Sequence, residues 1–140
     1  SAGTYVTNEY GKRLLGYNNT SALRGYLANY GYTSGIISAL DSYAATVVIP
    51  ASVSQMYIPS IAEMQLIHNN FDVINSALET AGGTPFVRDS RDNQKDFYWT
   101  TSENELSSGN AAALNPFTGE LHGGVLKGSA VKKVRYIFAF

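Results

Sequence analysis

The chain has 140 residues, of which 44% are hydrophobic, only 15% charged and 13 are glycine, a profile that fits one ordered, loop-rich domain over 1–140 and excludes a disordered segment. Ten lysines and arginines against 11 acids leave a formal charge of −1, so neither nucleic acid nor anionic lipid is an expected partner. The lack of cysteine removes thiol catalysis, disulfides and cysteine-bound zinc or iron–sulfur centres.

No run of about 18 apolar residues occurs, so no membrane insertion is expected. The chain opens on Ser1 without the basic-then-apolar order of a signal peptide, as in a processed or trimmed protein.

In chain order, Thr4–Thr7 and Lys12–Leu15 read as strand pieces around the turn Asn8-Glu-Tyr-Gly11. Asn19 or Thr20 then caps a helix whose apolar positions Leu23, Tyr26, Leu27 and Tyr30 recur at helical spacing, and Gly31 stops it. Ser34 or Gly35 opens a second helical stretch through Ile36, Ile37, Leu40, Tyr43 and Ala44. The β-branched run Thr46–Ile49 follows, closed by Pro50.

Ser60-Ile-Ala-Glu63 is the sharpest local signal. It is a capping box, in which the serine hydroxyl accepts the amide three residues on and the glutamate reaches back to the serine amide. Met64, Leu66 and Ile67 supply its buried stripe. His68-Asn69-Asn70 breaks the pattern before a further helix bearing Phe71, Ile74, Ala77 and Leu78, which Gly82-Gly83 ends.

From Thr84 the character turns to β. Strands are expected over 97–101, 111–115, 120–126 and 131–140, with turns at Pro116-Phe-Thr-Gly119 and Lys127-Gly128. Arg88 to Asp96 is a polar loop without periodicity. The fold class is therefore α+β: two or three helices, then an antiparallel meander.

Four segments taken together resemble a known pattern: Gly16-Tyr-Asn-Asn-Thr20, Tyr57-Ile-Pro-Ser-Ile-Ala-Glu63, Tyr98-Trp-Thr-Thr-Ser-Glu103 and Val134-Arg-Tyr-Ile-Phe-Ala-Phe140. They are similar to the bacterial C-type-lectin-like domains of surface proteins in gut Bacteroidetes, which are related to the variable proteins of diversity-generating retroelements. The resemblance covers the chain from about Gly16 onward. It implies a C-type-lectin-like fold with paired N- and C-terminal strands, flanking helices and a binding surface of loops and short strands. One departure is Asn110-Ala-Ala-Ala-Leu-Asn115, where relatives carry an aromatic-rich strand. Lost aromatic surface there favours a flat protein-binding or oligomerisation face over a sugar-stacking pocket.

The chemistry-bearing residues are sparse. The Glu-Pro-Asn and Trp-Asn-Asp motifs of calcium-dependent, sugar-binding lectins are absent, and Asn115-Pro116 reads as a turn. Asp89, Asp92, Asn93 and Asp96 offer hard oxygens, but their spacing is not that of a calcium loop; pairing with Arg88, Arg91 and Lys95 in a solvated loop is the better account. His68 and His122 share no ligand partner, so no metal and no cofactor are expected. His68 is read as bonding the carbonyls of its own helix end. Lys132, Lys133 and Arg135 read as a solvated strand face. Asn18-Asn-Thr20 and Asn19-Thr-Ser21 match a glycosylation sequon, for which capping is the simpler reading. The related sulfatase-activating enzymes depend on cysteine, which this chain lacks. Tyr98 and Trp99 must face opposite sides of one strand, with Trp99 taken as the buried one.

The sequence is accordingly read as a non-enzymatic recognition or adhesion module, extracellular, at a bacterial cell surface or on a phage virion. Its 89–127 region would bind a protein or glycan receptor, with Tyr98, Thr101, Glu103, Asn104, Asn110, Asn115, Glu120 and His122 as contacts. The alternative is a structural or assembly subunit of a fimbria, surface layer or virion, self-associating through the same face. An enzyme of this fold ranks third.

Overall fold

Helices fill the first half of the chain and strands the second, as the switch in hydrophobic period requires. The computed structural model describes residues 14–89, 91–104, 107–126 and 132–139. Its helices are α1 (Gly16–Tyr30), α2 (Gly35–Ala44), α3 (Ile61–Asn69) and α4 (Phe71–Thr80). A 3₁₀ turn at Asn93–Asp96 leads into β1 (Tyr98–Asn104), β2 (Ser107–Leu114) and β3 (Leu121–Leu126). These strands form an antiparallel sheet in the order β1-β2-β3, with Tyr98 opposite Leu114 and Leu114 opposite Leu121. The α+β class is thus observed. The strand piece expected at Thr4–Thr7, Lys12 and Arg13 of the second, and the turn at Lys127-Gly128 lie outside the described residues, while Leu14 and Leu15 of the second lead directly into α1 and form no strand.

Two apolar clusters hold the layers together. The larger joins Ile61 and Met64 of α3 to Phe86, Tyr98, Ala112, Leu114 and Leu121, with Phe71, Ile74 and Leu78 of α4 packed over it. The smaller joins Ile37 and Leu40 of α2 to Ile58, with Leu23 and Leu27 of α1 and Val134 and Tyr136 packed against it. Leu66, expected in the stripe of α3, is exposed instead, because Met64 and Ile67 already cover the contact with the sheet.

The capping box of α3 forms as expected and does more than cap. Glu63 Oε2 accepts from the Ser60 amide at 2.7 Å and its hydroxyl at 2.8 Å, and also from the Gly16 amide at 3.0 Å. The Tyr57 hydroxyl donates to the other oxygen at 3.1 Å. One buried carboxylate therefore satisfies the starts of both α1 and α3, whose first amides have no partner within their own helices. Gly16 is obligatory here: a Cβ would sit 2.3 Å from Glu63 Oε2 and 2.6 Å from the Ile58 carbonyl oxygen. Helix α1 consequently begins at Gly16, not at a cap on Asn19 or Thr20. Those two residues lie in its first turns and tie it to the sheet side: Asn19 Nδ2 donates to Thr101 Oγ1 at 3.2 Å, and Thr20 Oγ1 accepts the Ile58 amide at 3.1 Å.

Burial, reinforced by the Glu63 charge, pushes the Tyr57 phenol up from 10.0 to about 12. The neutral phenol is the form folding favours, so its stabilisation is complete below pH 10 and is lost as pH rises through about 12. Alkaline titration of tyrosine absorbance should show Tyr57 ionising late, at about pH 12, with stability falling as it does so. In Tyr57→Phe that coupling should disappear and the stability profile above pH 10 should flatten.

The β-branched run at residues 46–49 forms no strand; the chain turns at 45–46 and Val48 is 97% exposed. The terminal segment is extended but meets its neighbours at separate places. It bridges Tyr57 through Ile137 and Tyr98 through Lys133, so it spans the gap between the α3 entry and β1 instead of lying within the sheet.

Candidate functional site

The expected binding face begins at the 88–96 loop, whose acids are engaged by its own backbone. Asp89 Oδ1 accepts the amides of Arg91 at 2.9 Å and Asp92 at 3.2 Å, and the first of these holds its carboxyl below the usual range. Asp92 Oδ1 accepts the Gln94 amide at 3.0 Å. Asp96 is fully buried and accepts the Asp89 amide at 2.7 Å, with Arg88 and Lys133 cations 3.8 Å away. This is the geometry of a loop ordered by Asx turns around one buried acid. Beside it Val87, Arg88, Asp89, Arg91 and Lys133 line an open concavity of about 410 Å³. Among the described residues no cluster of three or more His, Asp or Glu side chains converges as metal ligands would.

The basic residues near the C-terminus are not a free solvated face. Lys133 Nζ donates to the Val87 carbonyl at 3.5 Å, and Arg135 donates to the Thr84 carbonyl at 2.9 Å while lying 4.3 Å over the Phe86 ring. Lys132 reaches the opposite way, to the Gln94 carbonyl at 3.1 Å and over Phe97 at 5.1 Å. Alternation along an extended segment sends neighbouring cations to opposite sides, and each there lashes down a loop.

Of the eight expected contact residues, two are buried. Tyr98 is buried in the larger cluster, edge-on to Phe86 at 5.3 Å; the strand's alternation turns it inward and leaves Trp99 half-buried, the reverse of the expected order. Asn115 is buried because its side chain builds the β2–β3 turn, accepting the Phe117 amide at 2.9 Å. Thr101 is half-buried against Asn19. Glu103 is exposed, and Asn104 follows it at the end of β1. Asn110 is half-buried, with its Oδ1 enclosed and unbonded among the described residues. Glu120 and His122 pair at 3.1 Å, and the His122 ring stacks on Phe97 at 3.9 Å.

His68 also differs from expectation. Its Nδ1 lies 2.8 Å from the Pro116 carbonyl oxygen, so it ties α3 to the β2–β3 turn and does not bond its own helix end. That turn needs Gly119, which has a φ of 76° and whose missing Cβ leaves room for the His68 ring.

The feature that periodicity misassigned lies at the end of α1. Leu23 and Leu27 turn to the core, while Tyr26 and Tyr30 are exposed and join Tyr32 in a cluster. Ring centroids lie 4.8 Å apart for Tyr26 and Tyr30, 6.2 Å for Tyr26 and Tyr32, and 6.1 Å for Tyr30 and Tyr32. Gly31, at φ 68°, makes this possible. Its left-handed turn lets the Tyr32 amide bond the Leu27 carbonyl at 2.9 Å, which folds the chain back and lays Tyr32 beside the helix end. The sequence signal was the spacing Tyr26, Tyr30, Gly31, Tyr32: the glycine stop marks where a third ring returns.

The α+β architecture has a counterpart among solved structures. A fimbrial protein from Bacteroides ovatus superimposes on 96% of this chain with a TM-score of 0.73 at 20% sequence identity. The chain spans only 27% of that protein's length, so the likeness is to one portion of it and shows the fold alone. No protein-family model and no curated protein matches the sequence.

Proposed function

We propose that this chain is a module of a bacterial surface appendage of the fimbrial kind, with a structural or assembly role in it. The observation that carries the reading is the near-complete superposition of this chain on a portion of a fimbrial protein. The engaged acids of the 88–96 loop and the separate partners of His68 and His122 support a non-catalytic role, since catalysis needs convergent titratable groups. The motif order that resembles C-type-lectin-like domains supports the same placement outside the cell.

Receptor recognition through the 89–127 face is the second reading. It retains Thr101, Glu103, Asn104, Asn110, Glu120 and His122 as contacts, around the exposed Glu120–His122 pair.

The test is localisation in the producing cell. Antibody against the purified chain should label surface filaments by immunogold microscopy and detect the protein in the fraction released by shearing. Protein found only inside the cell, with unlabelled filaments, overturns the appendage reading.

A further inference from the structure

We propose that the tyrosine cluster at the end of α1 is a binding platform for a neutral carbohydrate, the three rings stacking on the C–H faces of pyranose units. Tyr26, Tyr30 and Tyr32 are 53%, 63% and 60% exposed, so all three residues are more than half open to solvent. A single aromatic pair four residues apart would suffice to steady a helix end. Here a third ring is brought back by a left-handed glycine and held within 16° of parallel to Tyr30.

The surroundings select the ligand's chemistry. Between Gly25 and Gly35 no residue is charged, and Asn29 and Thr33, adjacent in sequence to Tyr30 and Tyr32, are exposed with amide and hydroxyl groups suited to sugar hydroxyls. The nearest charge in sequence, Arg24, is held in a two-pronged pair with Asp41 of α2, which offsets it. An anionic partner finds no free cation within this segment. Leu23 and Leu27 of the same helix pack partly buried against the core, so the exposed part of this stretch is mainly aromatic. It offers amphipathic aromatic surface flanked in sequence by neutral polar residues.

This platform lies in α1 and the turn after it, apart in sequence from the 89–127 region, and the inference does not depend on the appendage reading. The test is saturation-transfer NMR of the full chain with cellohexaose, maltohexaose and mannohexaose, with hexagalacturonate as an anionic comparison. At least one neutral probe should bind, and Tyr30→Ala and Tyr32→Ala should each weaken it about fivefold or more while leaving the melting temperature nearly unchanged. Tyr43→Ala, an exposed ring tilted against Tyr136 elsewhere, should leave binding intact. No binding to any neutral probe, binding that survives both substitutions, or preference for hexagalacturonate overturns the proposal. So does a concentration-dependent dimer in light scattering that Tyr30→Ala abolishes, because the platform would then serve a second copy of the chain.

Discussion

Glu63→Ala should cost roughly 3–5 kcal/mol of folding stability, because it strands buried donors from three residues at once. The Gly16 and Ser60 amides and the Tyr57 and Ser60 hydroxyls all point at this carboxylate. For a domain of this size the loss corresponds to a fall of about 10–15 °C in melting temperature. Glu63→Gln is the informative partner. Its amide keeps one acceptor oxygen but turns donors toward donors, so it should recover only part of the loss. Thermal unfolding followed by circular dichroism measures both; a Glu63→Ala variant that melts within about 3 °C of the parent would show that the knot carries little. Gly16→Ala should approach the same cost by a steric route, since the added carbon meets a backbone carbonyl that cannot swing aside.

Phe97→Ala should cost about 3–5 kcal/mol, the range for emptying an aromatic site in a packed interior. Phe97 is fully buried at the foot of β1, its carbonyl accepting the Lys133 amide, and it supports both the stacked His122 ring and the overlying Lys132. The same substitution should release His122. Chemical denaturation reads the stability loss, and the His122 ring resonances should move toward those of an exposed imidazole. If stability falls while those resonances stay fixed, Glu120 alone positions the histidine. Phe97 would then be a core residue with no bearing on the 89–127 face.

Local chemistry made much of this architecture legible. The capping box at Ser60 and Glu63, the glycine stops at Gly31 and Gly82, and the turn at Pro116–Gly119 act over a few residues, so their stereochemistry is written in adjacent letters. The change from helical to alternating periodicity near Thr84 likewise set the order of elements, hence the α+β class.

The candidate site was less legible, because burial is a property of two surfaces meeting. Alternation required Tyr98 and Trp99 to part, yet only the position of Phe86 and α3 decided which ring went inward. Leu23, Tyr26, Leu27 and Tyr30 all fit one broad helical stripe. The stripe is wider than the groove that α2 and Ile58 offer, so the leucines entered and the tyrosines stayed outside. Glu63 was expected to serve its own helix, whereas its second use, at the start of α1, spans 47 residues and exists only once the helices are packed.

By itself, then, the sequence determined the order of helices and strands and several of their stops, since caps, turns and periodicity are short-range. The tertiary structure alone decided which aromatic faces reach solvent and which polar groups share a partner. Those outcomes depend on distances between segments that the chain separates by tens of residues.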